Sequence, residues 1–162
     1  MSVSATQPDW QREAPRRGWD PSRRLLRAIR RYQKGGWLVR RLAVLQHRFW
    51  SVVTGADIPL NTQISGGLKL PHPNGVVIHP QSVIGPNCMI FQQVTLGANR
   101  GQKGAPQIGG HVDIGPGARI LGPVRIGDHA VIGANAVVLK DVPAGCVAVG
   151  VPARILTAEE TG

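Results

Sequence analysis

The chain has 162 residues, 21 of them Gly and 13 Pro, so about a fifth of its positions break regular elements. A long-helix or coiled-coil protein does not tolerate that load. Collagen needs Gly at about every third position, and disorder needs far less than the 42% apolar content present here. The net charge of +10 is uneven: residues 1 to 50 hold 12 basic and 3 acidic side chains, residues 51 to 162 hold 7 and 6. A basic arm on a nearly neutral body weakens a nucleic-acid reading, and no nucleic-acid partner is expected.

Cys88 and Cys146 form neither a disulfide framework nor a C-x-x-C metal motif. The N-terminal segment lacks the apolar core of a signal peptide, and no apolar run is long enough to span a bilayer. The expectation is a reducing, cytoplasmic compartment.

In chain order, residues 1–19 read as a flexible polar leader. Residues 20–55 read as a basic α-helical segment, opened by the N-cap Asp20 with Pro21 in the first turn. Leu25, Leu26, Ile29 and Tyr32 recur at helical spacing, Arg23, Arg24, Arg27, Arg30 and Arg31 fill much of the rest, and Gly35-Gly36 interrupts the pattern. A second helix is expected from Trp37 to about Val53, with Leu38, Leu42, Leu45, Phe49 and Val53 on or near one face and Gly55 as its stop.

From Ile58 the period becomes six. Ile58, Ile64 and Leu70 are in register; after a two-residue slip come Ile78, Ile84, Ile90 and Leu96, then Ile108, Ile114, Ile120, Ile126, Ile132 and Val138. Gly follows at 85, 97, 109, 115, 127 and 133, and small or β-branched residues such as Ser82, Cys88, Val94, Ala118 and Ala136 stand four places after the aliphatic. Each hexapeptide reads as a short strand plus a corner, with the aliphatic pointing inward, the small residue beside it, and Gly or Asn supplying corner angles. Three hexapeptides close a triangular coil, and stacked coils bury a continuous apolar column, predicting a parallel β-helix of four to five coils over residues 57–155. Between Leu96 and Ile108 the repeat is broken by an extruded loop, residues 97–107 (GANRGQKGAPQ).

The stretches DIPLNTQISGGLKLPHPNGVVIHP (57–80), IFQQVTLG (90–97) and AVGVPARI (148–155) resemble the hexapeptide-repeat acyltransferases, most of all serine O-acetyltransferase, as a short form lacking most of the N-terminal helical domain. The resemblance implies a left-handed β-helix, an acetyl-CoA donor, no metal, a hydroxyl acceptor such as L-serine, a place in cysteine biosynthesis and a homotrimer with sites between subunits. Acetyl transfer to a hydroxyl needs a base, for which His suits, and a carboxylate to orient it. The family's H-x-x-G motif makes His72 the base, and its Asp fifteen residues earlier falls at Asp57. Fifteen residues is nearly one circuit of an 18-residue coil, so the two are expected near one corner on adjacent coils. The resemblance assigns CoA contacts to Gly97, Ala98, Asn99 and Lys103 of the loop and to Gly150, Val151, Pro152, Ala153 and Arg154. Acceptor contacts fall at Gln92, Pro71 and Ala105.

The departures bear on the acceptor. Pro71 stands where the family keeps an Asp for the serine ammonium, and Gly104-Ala105 stands where an Arg-His pair holds substrate, in a loop two residues shorter. A zwitterionic acceptor needs both charges. Acetylation of a sugar or exopolysaccharide precursor therefore stays open beside serine, as does a non-catalytic β-helix used for assembly or binding. His79 is the second choice of base, His111 and His129 read as solvated corners, and His47 as packed in its helix; no spacing among them suggests zinc. Cys88 reads as a buried filler. The tail 156–162 (LTAEETG) lacks the terminal Ile by which family members dock on the next enzyme of the pathway, so that complex is not expected. The basic arm reads as a solvated helical face, with peripheral membrane contact as its alternative.

Overall fold

The computed structural model of the protein describes residues 3–156; residues 157–162, most of the expected tail, lie outside it. Helix α1 spans Pro21–Lys34, with the Asp20 side chain accepting from the Arg23 N–H, and α2 spans Trp37–Thr54, closed by Gly55 in the left-handed conformation. Both helices fall where the sequence predicts them. They pack as a hairpin around Gly35-Gly36, joined by the Arg31 to Gln46 hydrogen bond at 3.1 Å.

Among the described residues, thirteen short strands then wind around three faces. Face 1 holds β1 (Gln63–Ile64), β3 (Val83–Ile84), β6 (Gln107–Ile108) and β9 (Arg125–Ile126). Face 2 holds β4 (Met89–Ile90), β7 (Asp113–Ile114), β10 (Val131–Ile132) and β12 (Val147–Val149), with β13 (Arg154–Ile155) antiparallel at its edge. Face 3 holds β2 (Val77–Ile78), β5 (Thr95–Gly97), β8 (Arg119–Leu121) and β11 (Val137–Val138). All other pairs are parallel and keep inward aliphatics in line, as in Ile64↔Ile84, Ile84↔Ile108 and Ile108↔Ile126.

The column is continuous. Ile58, Ile78, Ile84, Ile90, Leu96, Ile114, Ile120 and Ile132 are buried together with Cys88, Val94, Ala118 and Ala136. Leu25, Leu26 and Ile29 join the same cluster, so α1 covers the open end of the first coil, and each fully buried Leu or Ile contributes on the order of 2 kcal/mol. The coil length varies: Ile108 to Ile126 is 18 residues, Ile64 to Ile84 is 20, and Ile84 to Ile108 is 24. The surplus residues are pushed out, two at Pro71–Val76 and six in the 97–107 loop.

Two expectations change. The glycines after the aliphatics are not where the corner angles are set: positive φ occurs instead at Gly67, Asn87, His111, His129 and Gly145 along one corner, and at Gly75, Gln93, Gly117 and Asn135 along another. The former are Gly because coils touch there, a Cβ on Gly85 falling 2.4 Å from the Gly109 carbonyl. The leader, expected loose, is laid along the coils. Asn87 donates to the Ser4 and Gln7 carbonyls and accepts from the Asp9 N–H, while Arg12 donates to the Gly67 and Asn87 carbonyls. Buried Glu13 accepts from Arg30 at 2.8 and 3.0 Å and from the Leu68 N–H at 2.9 Å, tying leader, α1 and first coil together.

Candidate active site

His72 stands on the corner between faces 2 and 3, in the turn from Pro71 to Val76 that the two surplus residues create. Leu70 and Val76 point inward at its ends, leaving Pro71 and His72 exposed. The turn is fixed from below by the Gly75 N–H donating to the Gly55 carbonyl and the Asp57 N–H donating to the Val76 carbonyl. It is fixed from above by the Gln93 N–H donating to the Asn74 carbonyl. Gly75 has φ 69°, a conformation that disfavours a side chain.

Asp57 lies beside this turn, its backbone bridged to Val77 on the next coil. The surplus residues lengthen that circuit to twenty, so fifteen residues leave His72 short of a full turn, and no direct hydrogen bond or ion pair joins the two side chains. Gln92 sits one coil above Asn74, half-buried, and its side-chain carbonyl oxygen is buried with no hydrogen-bond partner. An unsatisfied buried acceptor is costly unless a ligand or water meets it. Pro71 opens onto a cavity of about 420 Å³ between leader and first coil, whose lining includes Arg12, Arg16, Arg17, Arg23 and Lys69.

The expected CoA residues occupy two different corners. Gly150 to Ala153 cap the last coil at the His72 corner, with the Val137 N–H donating to the Gly150 carbonyl and the Ala153 N–H to the Val137 carbonyl. They stand about four coils from Gly75, about 19 Å at a strand spacing of ~4.8 Å. Arg154 is exposed and pairs through its backbone with Val149. The loop residues are on the corner between faces 3 and 1. Gly97 closes β5 with its carbonyl accepting from the Gly122 N–H, Ala98 is exposed, and Asn99 accepts through its carbonyl from the Gln102 N–H. Lys103 is exposed at the tip, whereas Ala105 is buried where the loop returns to the coil. Within one chain the His72 corner and the loop base are separated by the width of face 3, about 13 Å for the four residues from Gln93 to Gly97.

The other histidines make contacts within the fold. His79 Nδ1 accepts from the Gln81 N–H within a turn, and His47 Nε2 meets the Ile58 carbonyl at 2.8 Å, holding α2 on the first coil. His111 and His129, taken separately in the sequence, stack on one corner with Nδ1 atoms 2.9 Å apart; their 18-residue separation, one coil, was the available signal. Burial pushes the Cys88 thiol up from 9.0 to about 11, and it donates toward the Gly109 carbonyl, so it is a poor nucleophile. Among the described residues no three His, Cys, Asp or Glu side chains converge as metal ligands.

Comparison with known proteins places this geometry. Residues 105–140 match the bacterial transferase hexapeptide family, described as six repeats. Fold and repeat together define the fold class: a left-handed parallel β-helix built on hexapeptide repeats. Its relatives include serine acetyltransferases. That of Synechococcus elongatus is 39% identical over 107 residues, which is 65% of this chain and 44% of the relative. The soybean serine acetyltransferase complexed with serine superposes with a TM-score of 0.70 at 38% identity, over 84% of this chain and 56% of the other. A serine acetyltransferase solved in complex with CoA gives 0.73 at 34% identity, over 85% and 58%. The chain spans about half the length of the curated relatives it matches.

Proposed function

We propose that the protein is an acetyl-CoA-dependent O-acetyltransferase of the serine acetyltransferase type, with His72 as general base and a small hydroxyl compound, L-serine first, as acceptor. The observation that carries this reading is the bulged corner. Two residues beyond the repeat hold His72 out of the coil on a turn bonded above and below, one coil from the unpartnered Gln92 acceptor. Relatives solved with serine and with CoA support both substrates.

The chemistry follows from the groups present. The acceptor oxygen attacks the thioester carbonyl carbon as the His72 imidazole takes its proton. The tetrahedral intermediate collapses with cleavage of the C–S bond, and the imidazolium returns the proton to the departing CoA thiolate. Asp57, exposed beside the same turn, stabilises the imidazolium electrostatically. Gln92 Oε1 accepts from the acceptor's amino group or from a second hydroxyl other than the reacting one, which satisfies the atom the fold leaves unpaired. Transfer is direct in this reading, and Cys88, buried and held as the thiol, carries no acyl group.

The separation of His72 from the loop supports a site shared between copies of the chain, and the family resemblance makes that assembly a homotrimer. One chain holds the two on opposite edges of face 3, and a neighbouring copy brings its loop, with Gly97, Ala98, Asn99 and Lys103, to the His72 corner. Gly150 to Arg154, on that corner, line the far end of an elongated CoA site.

A second reading rests on Pro71. It offers no carboxylate to an ammonium and borders a cavity rich in arginine, which favours an uncharged or anionic acceptor such as a sugar hydroxyl in a polysaccharide precursor. Thiol release from acetyl-CoA, measured with L-serine and then with a panel of sugars and sugar phosphates, separates the readings. Release with serine supports the first, release with sugars alone the second, and no release with any acceptor overturns both.

A further inference from the structure

Helix α2 carries a large apolar face that nothing among the described residues covers. Leu38, Leu42, Leu45, Phe49 and Val52 are 57–84% exposed and recur at alternating spacings of four and three residues, forming one stripe along the helix. The side turned to α1 and the first coil is instead Ala43, His47, Trp50 and Thr54. Sequence periodicity finds the stripe, but the fold buries the opposite side. Trp37, 65% exposed, and Trp19, 74% exposed and edge-on to Trp50, extend the apolar surface.

The charge around the stripe decides what covers it. From residue 21 to residue 56 the chain has nine Lys and Arg and no Asp or Glu. Arg41 and Arg48 flank the stripe on its own helix, and Arg24, Arg27, Arg31 and Lys34 are exposed on the neighbouring α1. A second copy docked through this face would bring two sets of unneutralised cations together. An anionic bilayer takes both parts at once, the Leu, Phe and Trp side chains entering the headgroup boundary and the arginines meeting lipid phosphates.

We propose that α1 and α2 form an anionic-membrane docking surface, with α2 lying in the plane of the interface through the Leu38–Leu42–Leu45–Phe49–Val52 stripe. No helix among the described residues is long and apolar enough to cross a membrane, so this is contact from one side. The inference does not depend on the acetyltransferase reading, because its test reads partitioning.

The test is co-sedimentation of the full chain with vesicles of phosphatidylcholine alone and of phosphatidylcholine with about one third phosphatidylglycerol, at about 0.1 M and about 0.5 M salt. Two variants are compared, R41E/R48E and L42S/F49S. All four residues are exposed, so folding is retained, and circular dichroism melting checks it. The expected result is binding to the anionic vesicles alone, weakened by salt, and reduced about fivefold or more by each variant. Absence of binding to anionic vesicles, equal binding to neutral ones, or binding by either variant equal to that of the unmodified chain overturns the proposal. So does a sedimentation-velocity result in which L42S/F49S dissociates an oligomer while vesicle binding is absent, since a second copy is then the occupant.

Discussion

His72 owes its exposure to two residues that a strict hexapeptide repeat would not contain, and the role proposed for it rests on that placement. Replacing it with Ala is expected to lower kcat about a hundred- to ten-thousand-fold with little change in melting temperature, because the side chain is exposed and makes no packing contribution. Ser82 argues the reverse case. Its hydroxyl is buried in the column without a partner, so Ser82→Ala is expected to be neutral or to stabilise by about 1 kcal/mol, a rise of ~2–4 °C in a thermal melt. Cys88 sets a pH limit. Its thiol stays protonated in the fold up to about 11, whereas an ordinary thiol at 9.0 ionises earlier, so unfolding releases a proton between those values. That contribution is complete below pH 9 and lost as pH rises toward 11, on the order of 3 kcal/mol, and urea titrations at stepped alkaline pH compared with Cys88→Ala measure it. The candidate base was named in the sequence through its resemblance to the H-x-x-G motif, and the structure adds that His72 stands exposed on a corner. The unpaired state of Gln92 was not legible in the sequence, since it depends on which neighbours the coil brings alongside.

At the scale of elements, the hexapeptide register gave the strands and the column directly, because inward aliphatics in a regular prism must repeat. The helices were legible from Asp20-Pro21 and Gly55, where capping leaves local signals. The order of the leader was not legible, because it rests on partners far along the chain: Asn87 for Asp9, and Arg30 and Leu68 for Glu13. Glu13→Ala leaves the largely buried Arg30 guanidinium without its carboxylate and is expected to cost about 3 kcal/mol, read by chemical denaturation. The loop was legible as an interruption, yet its return was not: Ala105 is buried and the Pro106 carbonyl accepts from the Val83 N–H, so only the part around Asn99 to Lys103 projects. Lys103→Ala is expected to raise KM for acetyl-CoA severalfold while leaving kcat and stability near their original values.

The whole molecule is a capped prism whose parts meet only in part within one chain. The helical hairpin closes one end and presents an apolar stripe left exposed by the described residues, while faces 2 and 3 carry the His72 corner along their shared edge and the loop lies one face away. If the site is completed by a neighbouring copy, mixing His72→Ala chains with chains shortened in the 97–107 loop restores part of the activity that neither has alone. The measurement that bears most directly on the account is acetyl-CoA thiol release by the wild-type chain and by His72→Ala under saturating L-serine and, separately, a sugar acceptor. The account predicts turnover by the wild type with at least one acceptor and its near loss in His72→Ala at unchanged melting temperature; full turnover by His72→Ala would contradict it.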